Sequence, residues 1–314
     1  MDVFGGHGLA PWIAFNALVL VLLAIDLGVV HRKVHAIGFR EALFWNVVWT
    51  ALGVAFALVI LWLYGRQATL EYLTGYVIER ALSIDNIFVF VVVFGYFRID
   101  PRYQHRVLFW GILGALVMRA ALIFAGAALV ATFHWVLYVF GAFLVYSGIM
   151  LVVKSPEAPD PEHNPVVRLV RRLLPVETSA EEARFLVRRA GRWHATPYLI
   201  VLVVVETTDL VFALDSIPAI FGVTRDALII YTSNVFAILG LRAMYFLLAA
   251  MMPRFHFLKH GLSVILVLIG LRMLLDRWIE VPTALTLLVV CAILALSIGL
   301  SFLIRGKSDG ATAE

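Results

Sequence analysis

The sequence carries Glu79-Arg80-Ala81-Leu82-Ser83-Ile84-Asp85-Asn86 in one long apolar run and Glu206-Thr207-Thr208-Asp209-Leu210-Val211-Phe212-Ala213-Leu214-Asp215-Ser216 in another. Both runs are long enough to cross a lipid bilayer, which takes about 20 mainly apolar residues. A carboxylate at bilayer depth costs about 2.5–3.5 kcal/mol on insertion scales, so it persists where it faces a cavity, a partner or an ion. The five carboxylates in these two similar settings therefore favour a path for a cation.

The composition points to a polytopic membrane protein of the all-α class. Of the 314 residues, 62% are hydrophobic and 15% are charged, which lies outside the usual range of a soluble domain. Nine apolar segments predict nine transmembrane helices, at 9–30, 42–64, 70–97, 105–130, 133–153, 197–221, 226–250, 258–276 and 283–304. The first segment is not expected to be a cleaved signal peptide, because residues 1–8 contain no Lys or Arg.

The distribution of basic residues predicts the orientation. With the N-terminus outside, most Lys and Arg fall in the inner connections, whereas the outer ones hold Arg66, Arg225 and Arg277. We therefore expect the N-terminus on the outer side of the membrane and the C-terminus on the inner side. The net charge of +4 reflects this bias and gives no reason to expect a nucleic-acid partner. Cys291 is the single cysteine, so a disulfide or a thiolate metal site within one chain is excluded.

One long connection, 154–196, is rich in proline and in charge. Within it, residues 166–174 predict a basic amphipathic helix that lies on the inner leaflet. Ser179-Ala180-Glu181-Glu182 has the spacing of a capping box and could begin a second helix. We interpret this connection as a solvated linker in preference to a regulatory or metal-sensing element.

The predicted organisation is two leading helices (1–69), a first three-helix repeat (70–153), the cytoplasmic linker (154–196), a second, inverted three-helix repeat (197–279), and a final helix with a cytoplasmic tail (280–314).

The two repeats are inferred from ordered matches in three successive segments. The matches pair Glu79 and Asp85 with Asp209 and Asp215, Asn86-Ile87 with Ser216-Ile217, Arg119-Ala120 with Arg242-Ala243, and Gly148-Ile149-Met150-Leu151 with Gly270-Leu271-Arg272-Met273. Because each unit has three spans, the second copy would be inserted upside down. Weak inverted similarity is typical of secondary transporters, whose sites lie near the midplane at the repeat interface. Chance similarity between apolar segments is the alternative.

The spacing of the acids predicts a break in the helices that carry them. On a helix, positions three apart lie about 60° from each other and positions six apart lie about 120° apart. Glu206 and Asp209 therefore share a face, whereas Asp215 points elsewhere. Pro218 cannot donate to the Leu214 carbonyl and crowds it, which provides a cause for a break. We expect the third and sixth spans to be discontinuous at the midplane, antiparallel, and crossing at the site. The third span has no proline, and there Ser83 and Asn86 would loosen the helix.

The side chains in these segments are hard oxygen donors. The candidate metal ligands are Glu79, Asp85, Asn86, Glu206, Asp209, Asp215 and Ser216. Such donors suit Mn²⁺, Ca²⁺ or Mg²⁺, and the residue types do not distinguish among the three ions. Asp85, Asp209 and Asp215 are the expected primary ligands. Glu79 and Glu206 are expected accessory ligands or proton carriers, because clustered carboxylates can exchange a proton as a cation leaves.

The alternative interpretation of the five acids is structural pairing with Arg80, Arg119 and Arg242. Arg119 and Arg242 are themselves expected to be structural partners or charge balancers rather than ion gates. We expect Asp26, Asn16 and Asn46 to make contacts between helices and not to bind the ion. We expect close helix packing at three glycines, Gly111, Gly114 and Gly141.

The two acidic segments resemble the hallmark segments of the TerC family of integral membrane proteins. The number of spans and the long basic loop between the halves also resemble those of this family. The Alx-type branch of manganese exporters is similar in size and layout. The resemblance implies Mn²⁺ export at the bacterial inner membrane, with the older label of tellurite resistance and a role in supplying manganese to secreted metalloenzymes. It also implies that the functional acids are Glu79, Asp85, Glu206, Asp209 and Asp215.

Together these features predict a carrier that exports Mn²⁺ by alternating access, with Ca²⁺ and H⁺ as further candidate ions. No resident cofactor and no enzymatic activity are expected. The alternative is a membrane scaffold that docks cytoplasmic or secretion partners through 154–196, with acids that are only structural. An intramembrane metal hydrolase is least favoured, because a His-rich metal motif and a Ser-His arrangement were not found in the sequence.

Overall fold

A computed structural model describes residues 8–26, 37–153, 165–176, 184–189, 191–249, 257–279 and 281–303. The elements in chain order are α1 (Leu9–Ile25), α2 (Phe39–Tyr96), α3 (Pro101–Thr132), α4 (Val136–Val153), α5 (Pro165–Leu173), β1 (Leu186–Arg189), β2 (Arg192–Ala195), α6 (Pro197–Phe221), α7 (Ala227–Leu239), α8 (Leu241–Ala249), α9 (Leu258–Leu275) and α10 (Thr283–Leu303). Within these ranges six helices are long and apolar enough to cross a membrane, or seven if the bent pair α7 and α8 is one span. The all-α, polytopic class is thereby confirmed.

Helix α2 folds back on itself. Its 58 residues would extend about 87 Å as a straight helix, nearly three times the thickness of the hydrocarbon core. Gly65 interrupts it, with a φ of 81° and a ψ of −176°. Beyond Gly65, the Tyr72 hydroxyl donates to the Gly53 carbonyl at 2.8 Å, and the Tyr72 ring lies 5.6 Å from that of Phe56. The two arms of α2, 39–64 and 66–96, therefore pack as an antiparallel hairpin.

A second interruption divides α7 from α8. The two helices are bent by 42° at Gly240, inside the predicted span 226–250. Arg80, from the second arm of α2, donates to the Ala237 carbonyl at 3.1 Å and to the Thr50 hydroxyl at 3.1 Å. Carbonyls in the last turn of a helix lack partners within the helix, so a cationic donor stabilises such an end. Arg80 thus supports the bend.

The predicted breaks at the acidic segments were wrong. The second arm of α2 is helical through Glu79 and Asp85, and α6 is helical from Pro197 to Phe221. Pro218 lies in the last turn of α6, so its missing N–H removes one hydrogen bond close to the point where the helix ends. The interruptions occur at glycines outside the acidic segments, Gly65 and Gly240.

The long connection carries a helix and a small sheet. Helix α5 confirms the amphipathic helix predicted at 166–174, with Val167 buried and Leu173 71% exposed. Strands β1 and β2 pair antiparallel, and Gly191 in their turn has a φ of 81°. This hairpin was missed, although an apolar pair on one side of a glycine and Trp193 on the other were a signal for it. The start predicted for a second helix, 179–182, lies outside the described residues.

The packing of the long helices places the acidic segments at the centre. Helix α6 packs against α3 and against α2, while α7 and α8 pack on α2. Helices α4 and α9 form the most extensive helix pair, and both also contact α6. Helix α1 joins this bundle through the ion pair between Asp26 and Arg242 and a 2.8 Å hydrogen bond from the Tyr231 hydroxyl to Asn16. Asp26 and Asn16 thus make the contacts between helices that were predicted.

Candidate functional site

Arg119 lies at the centre of the bundle and joins two of the predicted acids. It projects from α3 and is 1% exposed. Its Nε and Nη2 donate to the two oxygens of Asp209 at 3.1 and 3.0 Å, and its Nη1 forms an ion pair with Glu79. Glu79 and Asp209 are buried and come from different helices. With all three groups ionised, one guanidinium offsets one of the two carboxylate charges and leaves the other uncompensated.

Three neutral side chains complete this arrangement. The Asn86 amide donates to Asp209 at 3.0 Å, and the Asn234 amide donates to Glu79 at 3.0 Å. The Ser216 hydroxyl accepts from Arg119 Nη1 at 3.3 Å. We call the six residues the central cluster: Glu79, Asn86, Arg119, Asp209, Ser216 and Asn234. Both amide oxygens, Asn86 Oδ1 and Asn234 Oδ1, are buried and accept no hydrogen bond from the described residues.

The helical spacing explains how these side chains meet. Glu79 and Asn86 are seven residues apart, as are Asp209 and Ser216, and seven residues are close to two helical turns. Each pair therefore lies on one face of its helix. Asn86 contacts Asp209, whereas Arg119 joins Glu79 to Ser216, so the contacts run in opposite order along the two helices. The second arm of α2 and α6 are antiparallel, as predicted.

Asp85 and Asp215 lie outside the central cluster. Asp85 follows Glu79 by six residues and Asp215 follows Asp209 by six, and each is turned away from that acid, as the spacing predicted. Asp215 is hydrogen-bonded to Ser147 of α4. Asp85 interacts electrostatically with Asp215 and with Lys259 of α9. Both aspartates are half-buried and face the α4–α9 pair.

Glu206 lies at the edge of the cluster, against α3. It is half-buried, and a Cβ atom added to Gly114 would collide with its carboxylate. It interacts electrostatically with Asp209. Within the described part of the chain, no hydrogen bond reaches the Glu206 carboxylate. Gly114 thus makes room for an acidic side chain, which is a more specific role than the helix packing expected of it.

The seven predicted ligands therefore do not form one group. Glu79, Asn86, Asp209 and Ser216 meet in the central cluster, with Glu206 at its edge and Asp85 and Asp215 apart from it. In the described ranges, no three or more His, Cys, Asp or Glu side chains are arranged to hold a metal ion. Three participants were missed: Asn234, Ser147 and Lys259. A lone Asn inside an apolar segment was the available signal for Asn234.

The arginines behave partly as the alternative interpretation expected. Arg119 pairs with two acids, and Arg242 of α8 pairs with Asp26 of α1, which confirms both as ion-pair partners. Arg80 instead donates to backbone and neutral oxygens, including the side chain of Asn46, which confirms the contact between helices expected of Asn46. Arg partners account for two of the five predicted acids, Glu79 and Asp209.

A small cavity adjoins the cluster at Asp209 and extends toward the end of α2 at residue 96. Apolar side chains that include Phe90, Leu108, Ile112 and Leu241 form most of its lining. It offers space for about one water molecule. The cavity is therefore too small for a hydrated cation in the conformation observed.

The sequence profile of the Integral membrane protein TerC family matches residues 64–309. An uncharacterised membrane protein of Myxococcus xanthus is 48% identical over 94% of this chain and 92% of its own length. The "Putative membrane-bound redox modulator Alx" of Salmonella typhi is 42% identical over 95% of both chains, and its namesake in Escherichia coli K12 is 42% identical over 95% of this chain and 96% of its own. No protein of solved structure matches the chain. The extent of the profile match and of these identities shows that the chain belongs to the TerC family of integral membrane proteins.

Proposed function

We propose that this protein transports a divalent metal cation across the membrane, with Mn²⁺ as the ion and export from the cytoplasm as the direction. The observation that carries the proposal is the pair formed by Glu79 and Asp209, which is buried among membrane-spanning helices and shares a single guanidinium. Ionisable groups buried inside a membrane protein are rare and commonly mark the path of an ion or a substrate.

The cluster offers the donor atoms that such an ion needs. Carboxylates of Glu79 and Asp209, the Asn86 amide oxygen and the Ser216 hydroxyl are oxygen ligands suited to Mn²⁺, Ca²⁺ or Mg²⁺. A divalent cation would offset both carboxylate charges. Asp85 and Asp215 would join the coordination sphere only in a second conformation, because their helical positions turn them toward α4 and α9. Alternating access requires such a second conformation.

We propose nine membrane passes arranged around two inverted repeats. The passes are α1, the two arms of α2, α3, α4, α6, the bent pair α7 and α8, α9, and α10. Contacts between counterpart segments support the repeat. The second arm of α2 meets α6 at the cluster, and α4 meets α9 so closely that a Cβ added to Gly141 would lie 2.9 Å from the Gly270 carbonyl oxygen. A site between counterpart helices is typical of inverted-repeat transporters.

Proton coupling and orientation belong to the same proposal. Glu206 is the better candidate for a proton carrier, because Glu79 already receives Arg119 and Asn234 whereas Glu206 accepts no hydrogen bond from the described residues. The excess of Lys and Arg in alternate connections supports a periplasmic N-terminus and a cytoplasmic C-terminus in the bacterial inner membrane.

The second candidate function is a membrane scaffold for metal stress, tellurite resistance or metal delivery to exported metalloenzymes. It is favoured by α5, which exposes Leu169 and Leu173 beside Arg171 and Arg172 and so presents a mixed apolar and basic surface. The curated relatives named Alx are named as redox modulators. In this chain Cys291 is the single cysteine, so a disulfide role would require a second chain.

Mn²⁺ flux into proteoliposomes under a pH gradient tests the two functions. We expect Asp209→Asn to lower the flux by more than about 100-fold, because even residues behind the ligands cost roughly 10- to 100-fold in metal affinity. Asp215→Asn should lower it by about 10-fold or more, on the same scale. The matched control is Asp276→Asn, which removes a carboxylate from an exposed pair with Arg225 and should leave the flux unchanged. Ca²⁺ and Mg²⁺ as competitors rank the ions.

The opposite result would favour the scaffold. Wild-type protein that is folded but moves none of the three ions in either orientation would overturn the carrier. In cells, the scaffold predicts that deleting residues 154–196 abolishes resistance to manganese stress while Asp215→Asn is mild, and the carrier predicts the reverse order.

A further inference from the structure

Arg119 occupies the position in which a cation between Glu79 and Asp209 would be held. Its guanidinium contacts both carboxylates and the Ser216 hydroxyl, with no other basic side chain of the described residues paired to these acids. Within the described residues it is the largest of the side chains that are almost fully buried. The cluster thus already has a cation, supplied by the chain itself.

The charges do not balance while Arg119 is bound. One positive charge faces two carboxylates, so the ionised cluster keeps one negative charge in a region of low dielectric. A divalent cation in the same place would balance both carboxylates. A divalent cation together with Arg119 would leave one positive charge in excess. The charges balance only with the divalent cation alone, and Arg119 and the cation would need the same place between the two carboxylates.

Two neutral oxygens are left without donors at the same place. Asn86 and Asn234 each give their amide N–H group to a cluster carboxylate, and their Oδ1 atoms, on side chains 1% and 0% exposed, accept nothing from the described residues. Buried polar atoms in proteins are nearly always satisfied. An amide oxygen can be satisfied only by a hydrogen-bond donor or a cation. Arg119 does not satisfy these oxygens, whereas a hard metal ion prefers oxygens of this kind.

We propose that Arg119 is an internal competitor of the transported ion: the guanidinium holds Glu79 and Asp209 when no ion is present, leaves them when a divalent cation binds, and displaces that cation when it returns. Asn234 of α7 then joins Asn86 as a neutral ligand. This inference rests on the proposed transport function and adds to it the residue that drives release. Arg119 is not a ligand of the ion, because it is absent from the coordination sphere when the ion is bound.

Equilibrium Mn²⁺ binding to the full-length protein, measured by calorimetry in lipid nanodiscs, tests the exchange. Removing a competitor tightens binding, so we expect the Kd of Arg119→Gln to fall by about 10-fold or more while Mn²⁺ flux also falls, because release has lost its driving group. Arg119→Lys should also tighten binding, since an ammonium cannot form the two-pronged contact with Asp209. The effect should be smaller than that of Arg119→Gln, because the positive charge of the lysine still competes with the ion. Asn234→Leu should weaken binding about 10-fold.

Arg242→Gln is the matched control, because it removes another buried, ion-paired arginine whose partner is Asp26. Its Mn²⁺ Kd should stay at the wild-type value. A purely structural Arg119 predicts the opposite of the exchange: binding that is unchanged or weaker in both Arg119 variants. If Arg119→Gln does not fold, as judged by size-exclusion chromatography, the Mn²⁺ Kd of Arg119→Lys decides between exchange and a structural role. This variant keeps the positive charge between the two buried carboxylates.

The outcomes separate this inference from the function on which it rests. Wild-type protein that binds Mn²⁺ through Asp209, with no tightening in either Arg119 variant, overturns the exchange alone. Wild-type protein and variants that bind neither Mn²⁺, Ca²⁺ nor Mg²⁺ overturn both.

Discussion

Two arginines, Arg119 and Arg242, are both buried and ion-paired, but they face different numbers of carboxylates. Among the residues that the structure describes, Arg242 faces Asp26, one charge against one. Arg119 faces Glu79 and Asp209, one charge against two. Breaking a buried pair costs about 3–5 kcal/mol because it leaves an uncompensated charge. Among the described residues the charges of Arg242 and Asp26 balance, which favours a fixed contact between α8 and α1. The excess negative charge around Arg119 leaves the cluster able to exchange Arg119 for a divalent cation or to accept a proton.

Glu206 is the residue at which we expect that proton to be exchanged. Its carboxylate lies beside Gly114 and near Asp209, and it accepts no hydrogen bond from the described residues, so no fixed partner holds its charge. In Glu206→Gln the side chain cannot exchange a proton. We expect Mn²⁺ binding at fixed pH to change by less than about 3-fold, while the dependence of flux on the pH gradient is lost.

Flux in proteoliposomes at a series of inside and outside pH values measures this dependence. Glu71→Gln is the control, because Glu71 accepts hydrogen bonds from Thr224 at 2.6 Å and Gln67 at 2.8 Å, near the turn at Gly65. It should retain the response to the gradient. A Glu206→Gln variant that still follows the pH gradient would transfer the role to another carboxyl, Glu79 first.

At the scale of helices, the fold depends on two interruptions that are made by backbone conformation. Gly65 has a φ of 81° and a ψ of −176°, a region that is essentially limited to glycine because a Cβ atom clashes there. This single residue turns one long apolar run into the hairpin whose second arm carries Glu79 and Asp85. Its position, outside the acidic segment, lets that arm stay helical through the site.

Gly65→Ala should therefore destabilise the protein by about 1–3 kcal/mol through backbone strain alone, since an added Cβ atom meets no other atom within 4 Å. Thermal unfolding of the detergent-solubilised protein measures the effect as a lower apparent Tm. Gly95→Ala is the control: it lies in the same helix, its Cβ atom would also meet nothing within 4 Å, and its φ is not positive. We expect it to be neutral or stabilising by up to about 1 kcal/mol. Equal Tm values for the two variants would contradict the strain at Gly65.

The helices themselves could be predicted from the sequence, and their interruptions could not. Apolar length and the distribution of charge identified the membrane-spanning segments and α5, because those signals are local. The break was assigned to Pro218 since proline removes a hydrogen bond, but a proline in the last turn of α6 has little helix left to disturb. The bends at Gly65 and Gly240 depend on where neighbouring helices pack, which is not a local property.

At the scale of the whole molecule, the site is assembled from four helices that are far apart in the chain. The second arm of α2 provides Glu79 and Asn86, α3 provides Arg119, α6 provides Asp209 and Ser216, and α7 provides Asn234. The acids were predicted because a charge in an apolar run is conspicuous. Which acids share Arg119 was not, because the antiparallel register of two helices decides that Asp209 meets Arg119 while Asp215 meets Ser147.

Under the proposed transport function, the orientation of that assembly decides which side releases the ion, and the orientation can be measured with single cysteines. Cys291 is exposed on α10, and Cys291→Ser removes it as a background. In that background we expect Trp193→Cys, 54% exposed in the β1–β2 hairpin, to react with a membrane-impermeant maleimide only in inverted vesicles. Arg66→Cys, exposed beside the α2 turn, should react only in intact cells with a permeable outer membrane. Labelling of both positions from one side would contradict the odd number of passes between them. The reverse sidedness would keep the fold and invert the direction of transport inferred from the positive-inside rule.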